Sequence, residues 1–206
     1  MKIDKNIREC LDFFGIAYGE IDATSLSLYM EELMRWNKKI NLIGIRDMES
    51  AVHELLCDAF FLTGHIKDRC SILDLGSGAG ILAVPISIVN KNTTVFSIDK
   101  SLRKIQFQRH IKRILHLDNF TPVHGRAEEI SPIGVDCLVV KAFGSIPAIL
   151  EKGGPHLKSG GNALILKGKT EKPTEVEGFA LEKIISYELP VISKSYKLLT
   201  YKKVPS

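Results

Sequence analysis

The chain is poor in cysteine and tryptophan, with four of the first and one of the second in 206 residues. Cys10, Cys57, Cys70 and Cys137 are scattered, form no CxxC pair and do not combine with the six histidines at metal-ligand spacing. That pattern excludes a disulfide framework and gives the expectation of reduced thiols and no metal site. No apolar run approaches the roughly 20 residues that a membrane span needs. The opening MKIDKNIRECLDFF mixes acids and bases and lacks the apolar region of a secretory signal. A cytoplasmic protein without membrane contact is therefore expected. Internal repeats and low-complexity tracts are also lacking. Charge of one sign is only in slight excess, with a net +4 and a pI near 8.8. Such a balance permits a polyanionic partner without requiring one.

What is present suits one full-sized domain with an appendage, because 45% of the residues are apolar and supply a core. Asp22-Ala-Thr-Ser25 offers helix-capping groups ahead of LSLYMEELMRWNKKINL. There Leu26, Met30, Leu33, Asn37 and Ile40 recur at spacings of three and four. A second helical run covers Glu49 to about His65, so residues 1–68 read as a small helical cap. Residues 69–206 change pattern. SILDLG, TTVFSID, FTPVHG, VDCLVVKA and NALILKG are strand-like. Helical segments separate most of them: Ala79 to Val89, SLRKIQFQRHIKRILHL and SIPAILEKGGPHL. This alternation predicts an α/β fold with a doubly wound, Rossmann-like parallel sheet. LEKIISYELP and SYKLLTYKKV are joined by a short link containing Pro190 and Ser193. The link is too short for a helical crossover, so they are expected to form an antiparallel pair at the sheet edge.

The chemistry concentrates at the strand ends. ILDLGSGAGILAVPISIV runs from a strand into glycines and then into a helix. Gly76 and Gly78 fit the first two glycines of the dinucleotide fingerprint G-x-G-x-x-G, but Ile81 stands where the third belongs; the pattern is Gly76, Gly78, Gly80. No P-loop is present. Asp99 ends the next strand, 19 residues past Gly80, where a carboxylate can accept hydrogen bonds from both ribose hydroxyls. HGRAEE, His124 to Glu129, follows the third strand. A plain tight turn would explain the glycines but not these ordered tips. Together they resemble S-adenosylmethionine-dependent methyltransferases.

RWNKKINLIGIRD (Arg35 to Asp47), LDLGSGAGILAVPISI, HGRAEE and LILKG (Leu164 to Gly168) together resemble the RsmG (GidB) family, from about residue 25 to the C-terminus. The resemblance implies S-adenosyl-L-methionine as cofactor and N7 of a guanine in small-subunit (16S) ribosomal RNA as acceptor. The implied partner is that RNA or the assembling 30S subunit; a monomer is expected. It further implies that Gly76, Gly78 and Ile81, with Gly80 completing the loop, line the methionine and ribose part. Asp99 would bind the ribose, and Ala127 and Glu128 would border the adenine. Lys141 stands where the family has arginine, near the cofactor and the incoming RNA; Lys167 matches a basic residue on the substrate side. The chain departs from the family at Leu55, in place of a histidine, at Ile81-Leu82-Ala83, and at Lys197, an implied RNA contact that stands in place of an arginine. Arginine and lysine are not interchangeable at bidentate contacts. These departures motivate a second reading, a cofactor- and RNA-binding relative with weakened catalysis.

Guanine N7 carries an exposed lone pair and no proton, so alignment of nucleophile, methyl and sulfur suffices and no general base is expected. The candidates near the reacting atoms, Lys141 and Phe143, would act by position and charge. Phe143 would either stack on the target base or pack under its loop. Cys137, inside VDCLVV, reads as a core thiol; His124 as a strand-end residue satisfied by backbone; His53 as a helix-surface or inter-domain residue. Basic residues cluster in the helix after Asp99. Lys100 and Arg103 lie at its cofactor end and are the expected RNA contacts there, while Lys38, Lys39, Arg46, Lys167, Lys169 and Lys172 would extend the rim. Leu102, Ile105, Phe107, Ile111, Ile114 and Leu115 would form that helix's buried side.

Overall fold

A computed structural model describes residues 2–190 and 194–204. The chain opens with α1 (Lys2–Phe13) and α2 (Glu20–Ile40). The latter starts earlier than the expected caps at residues 22–25. Gly19 precedes it, and Asp22 Oδ2 accepts from the Gly19 amide at 2.9 Å. Glu20 and Asp22 sit at its positive end and Lys38 and Lys39 at its negative end. Asn41 ends it in the left-handed conformation at φ 49°. The second helical run is not uniform: α3 (Met48–Ala51), a π-helical stretch (Val52–Leu56) and α4 (Cys57–Thr63) follow one another directly.

The sheet comprises β1 (Ser71–Leu75), β2 (Thr94–Asp99), β3 (Phe120–His124), β4 (Val135–Lys141), β5 (Leu157–Gly168), β6 (Phe179–Glu188) and β7 (Ser195–Lys203). Its order is β3-β2-β1-β4-β5-β7-β6. The first five strands by sequence pair in parallel; β7 enters antiparallel between β5 and β6. The expected antiparallel edge pair is thus present. Ser193 of its link lies outside the described residues. The strand order reverses between β1 and β4, which makes their carboxyl ends the switch point of the sheet.

The crossover helices are α5 (Ala83–Val89), α6 (Leu102–Ile114) and α7 (Ile146–Gly153). The first begins four residues later than expected. Gly76, Gly78 and Gly80 all hold positive φ, 69°, 58° and 75°. Right-handed helix cannot form until this run is passed.

Residues alternate across the strands, as the pleat requires. Ile72, Cys137 and Val139 join an apolar cluster with residues of α1, α2, α4, α5 and α6. Leu73, Leu75, Leu138 and Val140 join another with Ile146, Ile149 and Leu150 of α7. The first cluster crosses residue 68 without a break: Ile7, Leu26, Met30 and Phe60 share it with Ala83 and Phe107. Residues 1–68 therefore form a helical layer on one face of the sheet. No helix among the described residues is long and apolar enough to cross a membrane.

Candidate active site

The glycine loop is fixed from beneath. The Gly76 and Ser77 amides both donate to Ile98 O, at 2.9 and 3.0 Å. Gln108 of α6, fully buried, accepts from Ser97 Oγ at 2.6 Å and donates through Nε2 to Ser77 Oγ and Gly78 O, both at 2.8 Å. Asp99 spans the loop and the next turn: Oδ2 accepts from the Gly78 amide and Oδ1 from the Ser101 amide, both at 2.8 Å. The glycines matter for space as well as conformation. A Cβ on Gly76 would lie 2.2 Å from the Phe143 ring, and one on Gly80 would lie 2.9 Å from Val84.

Asp74 lies under the same loop, 2% exposed. Its Oδ2 accepts from the Ala83 amide at the start of α5, at 3.1 Å. Burial pushes its carboxyl up to about 7, partly opposed by that hydrogen bond. Neither Gln108 nor Asp74 emerges from the motif reading. The signal for each is a polar residue inside an apolar pattern: aspartate within ILDL, and glutamine on the buried side of α6.

Above the loop, a cavity of about 480 Å³ opens at the carboxyl end of the sheet. This is within the usual range of about 300–1,000 Å³ for small-molecule sites. Gly76, Asp99, Ala127, Glu128 and Phe143 line it, with Leu75, Ile98 and Ala148 supplying apolar surface. Lys100, Ser101, Lys104, Arg126 and Lys152 supply polar wall. Glu128 receives Lys152 Nζ at 3.2 Å, and its own backbone amide and that lysine hold its carboxyl below the usual range. The donor set suits S-adenosylmethionine. Asp99 has unused lone pairs for ribose hydroxyls, and the apolar patch beside the Ala127–Glu128 turn suits a purine. The missing side chain of Gly76 lets the Phe143 ring lie against its backbone at the cavity wall.

The remaining sequence candidates fall into three groups. Lys100 lines the cavity, whereas Arg103 is exposed outside it. Gly78, Gly80 and Ile81 do not line it; they shape the loop from below, and Ile81 packs on the apolar cluster of the helical layer. Leu102 is 46% exposed and so does not belong to the buried side of α6.

Three lysines are engaged within the protein. Lys141 leaves the end of β4 as expected but does not face an open rim. Its Nζ lies 2.5 Å from Asp58 Oδ2 and donates to Glu54 O at 3.0 Å. Asp58 is completely buried, and its other oxygen accepts from Tyr187 at 2.6 Å. A buried carboxylate requires such partners, which explains why Lys141 turns inward. Lys167 donates to Gly144 O, and Lys197 to Glu171 O at 3.0 Å. The loop tied by Lys167 carries Ala142 at φ 56°, then Phe143, then Gly144 at φ 112°. A left-handed alanine costs about 1–3 kcal/mol, and such strain collects at functional loops.

His124 is satisfied by Lys100 O at 3.2 Å, and Cys137 is buried, its thiol pushed up by burial. His53 is 3% exposed, not a surface residue. It converges with Cys10 and Cys57, a grouping that the expected absence of metal-ligand spacing misses because Cys10 is distant in sequence.

Solved structures share this architecture. A SAM-dependent methyltransferase from Aquifex aeolicus matches at TM-score 0.56 and 17% identity, covering 76% of this chain and 93% of its own. M. jannaschii TYW2 in complex with AdoMet matches at TM-score 0.57 and 14% identity, covering 71% and 73%. This likeness defines the fold class: a Rossmann-like α/β sheet of the kind those two proteins share. The sequence profile described as rRNA small subunit methyltransferase G (GidB) matches residues 22–199. Proteins called ribosomal RNA small subunit methyltransferase G are similar over most of their length. That of Geotalea uraniireducens is 35% identical over 188 residues, 85% of each chain. That of Geobacter sp. strain M21 is 35% identical over 167 residues, 80% of this chain and 76% of its own. The chain belongs to the rRNA small subunit methyltransferase G family.

Proposed function

We propose that the chain transfers a methyl group from S-adenosylmethionine to N7 of a guanine in small-subunit ribosomal RNA. The cavity at the switch point, where Gly76, Asp99 and the Ala127–Glu128 turn meet, carries this reading. The bound cofactor supplies an electrophilic methyl on a sulfonium. That methyl would pass from sulfur to nitrogen, the positive charge ending on the guanine, so the residues present would need only to align the two partners.

The protein's own part is alignment. Asp99 and the Gly76 backbone hold the ribose and methionine side, and Ala127 and Glu128 border the adenine. Phe143, fixed against Gly76 by its strained loop, borders the entry of the target base. Lys100, Lys104 and Arg126 give the cavity mouth a positive rim for RNA phosphates. Lys141 and Lys167 act indirectly, by holding the end of β4 and the 142–144 loop. No base is required, because guanine N7 carries a lone pair and no proton.

The test is methyl transfer from labelled S-adenosylmethionine to naked small-subunit RNA and to 30S subunits lacking the modification. Digestion and mass spectrometry should place the label in 7-methylguanosine. Label in another nucleoside, or none with either substrate, overturns the reading.

A further inference from the structure

A second site lies in the helical layer, and none of its residues lines the cofactor cavity. Cys10 of α1, His53 of the π-helical stretch and Cys57 at the start of α4 are all buried. Their ligating atoms lie within 4.8 Å of one another. Cys10 Sγ is 3.5 Å from His53 Nδ1. Zinc binds sulfur at about 2.3 Å and imidazole nitrogen at about 2.0–2.1 Å, so tetrahedral angles place the two donor atoms about 3.5 Å apart. The Cys10–His53 edge is therefore already at ligand spacing, and the Cys57 thiol lies within 4.8 Å of both. Without an ion, the same Cys10–His53 distance is a thiol–imidazole hydrogen bond.

We infer that Cys10, His53 and Cys57 bind a zinc-class divalent cation that fastens α1 to the helical layer. Three observations support this. The donors are thiol and imidazole, the set that zinc prefers over oxygen-seeking ions. Charge balances inside an apolar layer: two thiolates, a neutral imidazole and a divalent ion sum to zero, so no net charge is buried. His53 and Cys57, four residues apart and so on one helical face, lie within and directly after a π-helical stretch, a departure from regular helix that often marks a functional site. Cys10 also lies before the family-matched span of residues 22–199, so the complete donor set is not contained within that span.

Binding displaces two thiol protons to solvent and forms two sulfur–metal bonds and one nitrogen–metal bond, with no change of oxidation state.

The experiment uses the full chain, purified without a polyhistidine tag from zinc-supplemented cells and dialysed against metal-free buffer. Elemental analysis should find about one zinc per chain, and a chelator should lower the melting temperature. Cobalt added to the stripped protein should give a near-ultraviolet thiolate-to-cobalt charge-transfer band. Cys57→Ser should weaken cobalt binding by more than about tenfold, since loss of even an indirect support costs about 10–100-fold. Cys70→Ser should change nothing. Only trace zinc, together with no cobalt band in the folded wild-type protein, overturns the inference. So does a Cys57→Ser protein that retains wild-type zinc. The wild-type cobalt spectrum decides the matter even if the variants fail to fold.

Discussion

Replacing Lys141 with methionine leaves Asp58 completely buried with a single hydrogen bond from Tyr187. In the wild-type protein Lys141 Nζ, on a side chain only 19% exposed, approaches Asp58 Oδ2 to 2.5 Å. Removing one partner of a buried ion pair costs about 3–5 kcal/mol. The slight exposure of Lys141 favours the lower end, about 3 kcal/mol. For a chain of this length that corresponds to a melting temperature lowered by about 6–12 °C. Asp58→Asn alone should also destabilise. The double variant should recover part of the loss, with a coupling of about 1–3 kcal/mol between the two positions. Lys141→Arg, which keeps the charge, should stay within about 1 kcal/mol of wild type. Urea unfolding of the wild type and the four variants, followed by circular dichroism, measures the cycle and the Lys141→Arg control. Additive single losses, or a Lys141→Met protein as stable as wild type with lowered methyl transfer, would refute the argument. The latter result would return Lys141 to the RNA-facing rim.

Three further outcomes are expected. Asp99→Ala removes a carboxylate that faces the ribose position, and a charge-assisted hydrogen bond contributes about 1.5–3 kcal/mol; calorimetry should show S-adenosylmethionine affinity about 10- to 100-fold weaker, and unchanged affinity would remove Asp99 from the site. Gly76→Ala places a Cβ against the Phe143 ring at positive φ, so cofactor binding should be lost or strongly weakened; wild-type affinity would mean that the loop and Phe143 are free to move apart. Asp74→Asn tests burial: the folded carboxyl titrates near 7 against an ordinary 3.8, so the wild-type protein loses stability as pH rises between those values and not above. That loss is about 4 kcal/mol at most, and the variant should gain on wild type by about 2–4 kcal/mol between pH 4 and 7; parallel stability curves would contradict it.

The fold was legible because the sheet is parallel and its strands are marked by apolar runs separated by helical periodicity. The glycine loop, Asp99 and the Ala127–Glu128 turn were legible because they fall at strand ends, where a doubly wound sheet collects its ligand. Helix starts were less legible. Three successive left-handed glycines postponed α5, and Asp22 capped α2 from inside its first turn. Lys141 was misplaced for a different reason. Its sequence neighbours put it at the carboxyl edge, but its direction depends on Asp58, 83 positions earlier, and on Glu54. The same holds for Lys167, tied to Gly144 O, and for the Cys10–His53–Cys57 grouping. Pattern assigns a residue to an element; only tertiary contact decides which way a long side chain turns.

The central claim is settled most directly in the RNA itself. Small-subunit RNA from a strain lacking the gene is digested and its modified nucleosides compared with those of the parent by mass spectrometry. Loss of one 7-methylguanosine is expected. It should be restored by the wild-type gene and not by the Asp99→Ala form. An unchanged modification profile would contradict the account and leave the chain a cofactor- and RNA-binding relative without the activity.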